Sequence, residues 1–164
     1  MVSRFWGSPW TQRARQMLRP MATILLLLAA QLAHPQVLLS QGTNIAADVS
    51  PVDRQIAMDL LGSLWVLPAS GGEAAIVSDS LLPVRYPRWS PDGRSILYQA
   101  GSPAGTTLHL LQLDQKLTSN LSSSVFSDQH GSWHPDGTRI VFSSERHGRR
   151  LDLWEKDLET GLSW

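Results

Sequence analysis

Cysteine is missing from all 164 residues. That excludes disulfides, thiolate catalysis, cysteine zinc sites and an N-terminal lipoprotein cysteine. No acid precedes Asp48, while Arg4, Arg13, Arg15 and Arg19 all lie before residue 20. Beyond residue 33, ten Lys and Arg remain (the total of 14 less those four) against 14 Asp and Glu, a balance of −4. Such a deficit argues against a nucleic-acid partner, which requires a basic face to displace counterions. A membrane-length apolar run is also missing. The longest, Met21–Ala33, reads MATILLLLAAQLA and has thirteen residues, where a spanning helix needs roughly twenty. His-Glu-x-x-His, His-x-His, Gly-x-Ser-x-Gly and phosphate-cradling glycine loops do not occur. The sequence therefore names no catalytic residue, no metal ligand and no cofactor site.

What is present begins with an export pattern. A basic stretch followed by a short uncharged apolar run is the layout of a secretory signal. Residues 1–33 are accordingly predicted to be a signal peptide with a helical apolar segment, and 34–47 a linker. The mature chain is expected in the periplasm or outside the cell, with no stable membrane span after cleavage. An uncleaved anchor extended by Val37-Leu38-Leu39 is the alternative. Gln31 stands where a small residue would favour cleavage after Ala33, and Ala14 separates Arg13 from Arg15, so there is no twin-arginine pair.

The rest of the chain repeats. Tyr86-Pro87-Arg88-Trp89-Ser90-Pro91-Asp92-Gly93-Arg94-Ser95-Ile96-Leu97-Tyr98 returns 44 residues later as His130-Gly131-Ser132-Trp133-His134-Pro135-Asp136-Gly137-Thr138-Arg139-Ile140-Val141-Phe142. Leu108–Asp114 returns as Leu151–Asp157, and a degraded earlier copy starts at Ser50-Pro51 and continues in Ser63–Leu67. The unit has a local rationale. Proline presets φ, aspartate bonds nearby amides and glycine takes positive φ, so Pro91-Asp92-Gly93 and Pro135-Asp136-Gly137 are turns. Each turn follows a strand ending in Trp89 or Trp133. Each precedes a strand, Ser95–Gln99 or Arg139–Ser143, with an aliphatic residue and an aromatic two apart on one face. A third strand, Leu108–Leu113 or Leu151–Glu155, and a fourth such as Ala74–Val77 complete the unit. Four short strands per roughly 43 residues is the period of a propeller blade. The segments are too short and turn-rich for helical repeats.

The W-S-P-D-G turn, the following I-x-Y/F and the L-x-L-W-x-x-D-L-x-T-G strand and turn resemble the WD-repeat-like propeller repeat of TolB. The same repeat occurs in tricorn-type proteases and prolyl oligopeptidase relatives. The phrase from Asp59 to Ala74 is similar to the start of an N-terminal propeller that precedes an amidohydrolase domain. The resemblance covers residues 48–164 and implies an all-β fold, a partial open propeller of two to three four-stranded blades. It implies a periplasmic platform for a protein or ligand, with no catalysis of its own; the alternative it leaves open is the propeller part of an amidohydrolase or peptidase whose catalytic domain is missing. Family propellers have six to eight blades, so the partner is expected to be another protein or the missing blades, and a truncated or fragmentary reading frame is expected. His134 departs from the family's serine.

A few further residues have the chemistry of a site. Asp128, His130, His134 and Asp136 fall within nine residues, but Asp136 has a turn role and its counterpart Asp92 has no histidine nearby, so metal binding is not expected. Trp65, Trp89, Trp133 and Trp154 recur at repeat positions and are expected to pack between strands and blades. His147-Gly148-Arg149-Arg150 reads as a solvated basic loop tip, and Ser122-Ser123-Ser124 as a loop. Asn120-Leu121-Ser122 is a sequon that matters only in a eukaryotic secretory pathway.

Overall fold

The computed structural model describes residues 44–78, 81–102, 105–122, 125–148 and 150–164. The expected signal peptide, and residues 34–43 of the expected linker, lie outside them. Every described element is a strand, and no described helix is long and apolar enough to cross a membrane.

Eleven strands form three antiparallel sheets, each laid down in chain order. The first sheet comprises β1 (Ala47–Val49), β2 (Gln55–Leu60), β3 (Ser63–Pro68) and β4 (Ala75–Ile76). The second holds β5 (Val84–Trp89), β6 (Ser95–Ser102), β7 (Gly105–Gln112) and β8 (Leu117–Asn120). The third contains β9 (Asp128–Trp133), β10 (Arg139–Ser144) and β11 (Asp152–Asp157). A bridge between Lys156 and Ser163 starts a further ladder on β11. Hairpins explain the order: antiparallel neighbours need only tight turns, and the Pro-Asp-Gly turns supply them.

The degraded first copy is a full four-stranded sheet. Its first turn closes with the same geometry as the others. The N–H of Ser50 bonds the Gln55 carbonyl at 2.8 Å, as Ser90 bonds Ser95 and His134 bonds Arg139, both at 2.9 Å. Gly93 and Gly137 take positive φ (69° and 74°) at the fourth turn position, whereas Arg54 does so (57°) one residue later in the first sheet. The turn survives loss of its glycine by moving the left-handed residue along.

The sheets stack face to face, and the core lies between them in two layers. The first layer joins Ala57 and Leu64 of the first sheet to Val84, Trp89, Ile96, Tyr98, Ala100 and Leu111 of the second. The second joins Leu97 and Leu108 to Ile140 and Phe142, with Trp133 and Trp154 packed against them. Strand β6 therefore divides its side chains by parity. Ile96, Tyr98 and Ala100 serve one layer and Leu97 the other, as the two-residue period requires. Full burial of a side chain like Leu97 contributes about 1.5–3 kcal/mol. First strands also touch first strands, β1 against β5 and β5 against β9. The three sheets form an open arc of wedges converging on those strands.

Candidate functional site

Two groups of residues repeat from wedge to wedge: the turns and the converging first strands. The turns stand in a row. A Cβ on Gly93 would lie 3.2 Å from Ser50 Oγ and from Val52, and one on Gly137 would lie 3.8 Å from Pro91. Within each turn the aspartate binds its own loop. The Ser90 hydroxyl donates to Asp92 Oδ1 at 2.6 Å and the Arg94 N–H at 3.1 Å, which hold the Asp92 carboxyl below the usual carboxylate range. Asp136 is held lower still, first by the Thr138 N–H at 2.9 Å and then by Arg139. Arg139 donates to Asp136 Oδ2 at 2.6 Å and to Glu155 Oε1 at 2.5 Å, while His134 Nδ1 lies 2.8 Å from Asp136 Oδ2. Pro91 and Pro135 open these turns on the surface.

The four residues weighed for a metal go to three separate places. His134 and Asp136 stay in the turn. Asp128 is buried and accepts two bonds from the Arg146 guanidinium, at 3.1 and 3.3 Å. That guanidinium also lies over the rings of Phe142 and Trp154, at 5.1 and 4.6 Å. His130 stands apart at the inner edge. Among the described residues no three His, Cys, Asp or Glu side chains converge. The tryptophans sit at different depths. Trp89 is buried, while Trp65, Trp133 and Trp154 are half-buried. Trp65 donates to the Leu60 carbonyl at 3.0 Å within its sheet, and Trp133 donates across wedges to the Arg88 carbonyl at 3.1 Å. In the loop tip, His147 meets the edge of Trp154 at 4.9 Å.

The converging strands carry the feature that sequence reasoning passed over. The pairing of β5 with β6 slips between Arg85 and Arg88, so Tyr86-Pro87 oppose the single residue Tyr98. The pairing of β9 with β10 slips in the same way, so His130-Gly131 oppose Phe142. These are bulges, and the first residue of each is left-handed: Tyr86 at φ 53° and His130 at φ 56°. Glycine is the unstrained choice there, and a Cβ in that region costs roughly 1–2 kcal/mol. Each bulge N–H is held by an acceptor from the wedge before it. Asp59 Oδ2 accepts from Tyr86 at 2.8 Å, with Asp59 Oδ1 accepting from Ala46 at 2.9 Å. Gln99 Oε1 accepts from His130 at 3.2 Å.

The bulges turn both rings outward to solvent. Tyr86 remains 41% exposed, and its ring centre lies 5.6 Å from that of His130. The Arg85 guanidinium sits 5.8 Å above the Tyr86 ring. Arg88 is exposed and its nearest carboxylate is Asp48, 4.0 Å away; Asp48 itself accepts the Trp89 N–H at 2.7 Å. Arginine and aromatic side chains here present hydrogen-bond donors and ring faces. The sequence did carry one signal, since both bulges fall at the same place in the repeat. Separately, a cleft of about 480 Å³ opens between the first two wedges beside Arg94, Asp53 and Leu113.

Antiparallel wedges of three or four strands stacked face to face, with their first strands innermost, define a β-propeller. The fold is the TolB-like form of it, present in the described residues as an open run of two four-stranded blades and a three-stranded third. No family model matches the chain. It is similar to a protein from Agrobacterium tumefaciens assigned as TolB, at TM-score 0.68 and 22% identity over 77% of this chain and 48% of that one. TolB from Acinetobacter baumannii gives 0.61 and 20%, over 73% and 31%. The tricorn protease gives 0.60 and 14%, over 71% and 12%. In sequence, an uncharacterised protein of Agrobacterium fabrum is 26% identical over 92 residues, which are 56% of this chain and 31% of that one. The chain thus spans under half the length of each of these relatives.

Proposed function

We propose that this chain is an exported, non-catalytic binding module, whose blades present a rigid recognition surface to a protein or other ligand. One observation carries the reading. The reactive-looking side chains are committed to the fold, Asp128 to Arg146 and Asp136 to Arg139 and His134, while Tyr86 and His130 are held outward at a backbone cost. Strained residues cluster at ligand clamps and switch regions, and these two, unlike Arg54, Leu61 and Lys116 in the hairpin turns, stand within strands. The signal-like residues 1–33 and the TolB-like fold support export to the periplasm.

The test is crosslinking in cells. A photoreactive residue is placed at Tyr86, and in separate variants at the exposed apolar residues Leu117 and Val125, in the full chain. A discrete adduct with the processed, exported chain is expected from at least one position. An unprocessed cytosolic product, or no adduct from any position, overturns the reading. The likeness to the tricorn protease supports a second reading, an accessory propeller of a hydrolase. An in-frame continuation of the gene carrying His-x-His or Gly-x-Ser-x-Gly would favour that second reading, whereas turnover of peptides, esters or cyclic amides by the purified chain, abolished by His134→Ala, would overturn the non-catalytic one.

A further inference from the structure

We infer that the bulge pair Tyr86 and His130, with Arg85 and Arg88, forms a site for a carboxylate-bearing, acidic peptide segment. This rests on the binding-module reading and specifies where and what it binds. The argument begins with the backbone. Two successive blades place a ring residue in the left-handed position of the same bulge, at φ 53° and 56°. Both side chains are exposed, so burial in the core does not account for forgoing glycine. The previous blade fixes each bulge through Asp59 or Gln99, so the rings are positioned before any ligand arrives.

Charge selects the ligand. Both Asp59 oxygens are occupied by backbone N–H groups, and Asp48 accepts the Trp89 N–H. No carboxylate among the described residues lies within ion-pair distance of Arg85, and Arg88 has only Asp48 at the 4.0 Å limit. Guanidinium forks match a carboxylate with two parallel hydrogen bonds. The two rings, 5.6 Å apart, offer a face to a neighbouring apolar or aromatic side chain.

The experiment measures peptide binding to the full chain by fluorescence anisotropy at two salt concentrations. Probe one is a labelled, terminally blocked peptide of alternating Glu and Phe. Probe two replaces every Glu with Gln but keeps a free C-terminal carboxylate; probe three is the Gln peptide fully blocked. Binding of probe one or two, weakened by salt, with probe three unbound, is expected. Preference between the first two identifies a side-chain or terminal carboxylate as the source. Arg85→Gln with Arg88→Gln should weaken binding at least about tenfold, the loss expected from a charged hydrogen bond. Tyr86→Gly and His130→Gly should also weaken it while leaving the melting temperature unchanged or higher. Equal binding of all three probes, insensitivity to the arginine changes, or tighter binding of an oligothymidylate overturns the site. So does a fall in melting temperature for both glycine variants, which would make the rings structural. Crosslinks from Leu117 or Val125 alongside any of these failures would leave the binding-module reading standing and remove only this assignment.

Discussion

Strands β6 and β10 occupy the same place in successive blades and differ by the company they keep. In β6, Ile96, Leu97, Tyr98, Gln99 and Ala100 are all buried, because a blade covers each face. In β10 burial alternates: Ile140, Phe142 and Ser144 are buried against the second blade, while Arg139, Val141 and Ser143 on the other face are half-buried. On the neighbouring strand Leu153 is 77% exposed. The first blade mirrors this, with Ala57 and Asp59 buried and Ile56 and Met58 only half so. The lesson is that burial in this fold belongs to the interface between blades, and a blade's stability is a nearest-neighbour quantity.

The largest effect is expected at Asp128. It occupies the position of the buried Val84 one blade earlier and has Arg146 as its counter-ion. Removing the cation strands a buried charge, so Arg146→Met should cost about 3–5 kcal/mol. Combining it with Asp128→Val, which copies the second blade, should recover most of that loss. Urea denaturation of the single and double variants decides; a double variant as unstable as the single would mean the pair contributes through something other than charge.

Next in size is a pair of truncations. Leu97→Ala empties a covered site and should cost about 2–5 kcal/mol, whereas Val141→Ala on the half-covered face should cost roughly 1 kcal/mol or less. Similar shifts in the denaturation midpoint would show that the third blade's outer face is as well packed as the interior.

The turns give a smaller contrast. Gly93→Ala and Gly137→Ala both pay the left-handed penalty of about 1–2 kcal/mol. Gly93→Ala should be the worse, because its Cβ also presses on Ser50 and Val52 at 3.2 Å while that of Gly137 has 3.8 Å of room. Thermal melts that rank them the other way would mean the first blade's turn yields easily.

The smallest effect concerns pH. His109 stacks on Tyr98 at 5.4 Å and its Nε2 lies 3.0 Å from Thr107 Oγ1; burial lowers its pKa below the usual histidine value. The folded chain therefore binds this proton less readily than the unfolded one. Its contribution is complete above about pH 6.5, the unfolded value, and is lost as pH falls through the lower folded value. The melting temperature of the native chain should drop more than that of His109→Gln between neutral and mildly acid pH. Parallel pH profiles would refute the assignment.

Local chemistry is legible in the sequence. Pro91-Asp92-Gly93 and Pro135-Asp136-Gly137 announce turns because proline, aspartate and glycine act on their own backbone within four residues. Ile96 and Tyr98, or Ile140 and Phe142, announce strands through a two-residue period, and repetition at 44 residues announces blades. Strand ends were read within a few residues, though β1 and β8 were not named, since Ala47–Val49 and Leu117–Asn120 have little pattern of their own. The tertiary structure alone decided which residues meet across blades. Nothing local in Tyr86-Pro87 or His130-Gly131 reports a bulge, because a bulge is a slip against another strand. The acceptors that hold the bulges, Asp59 and Gln99, lie 27 and 31 residues from the amides they bind. Arg146 finds Asp128 from 18 residues away. Such pairings follow from the stacking of the blades, and only there does the Tyr86 ring meet that of His130 from the next blade, with Arg85 above it.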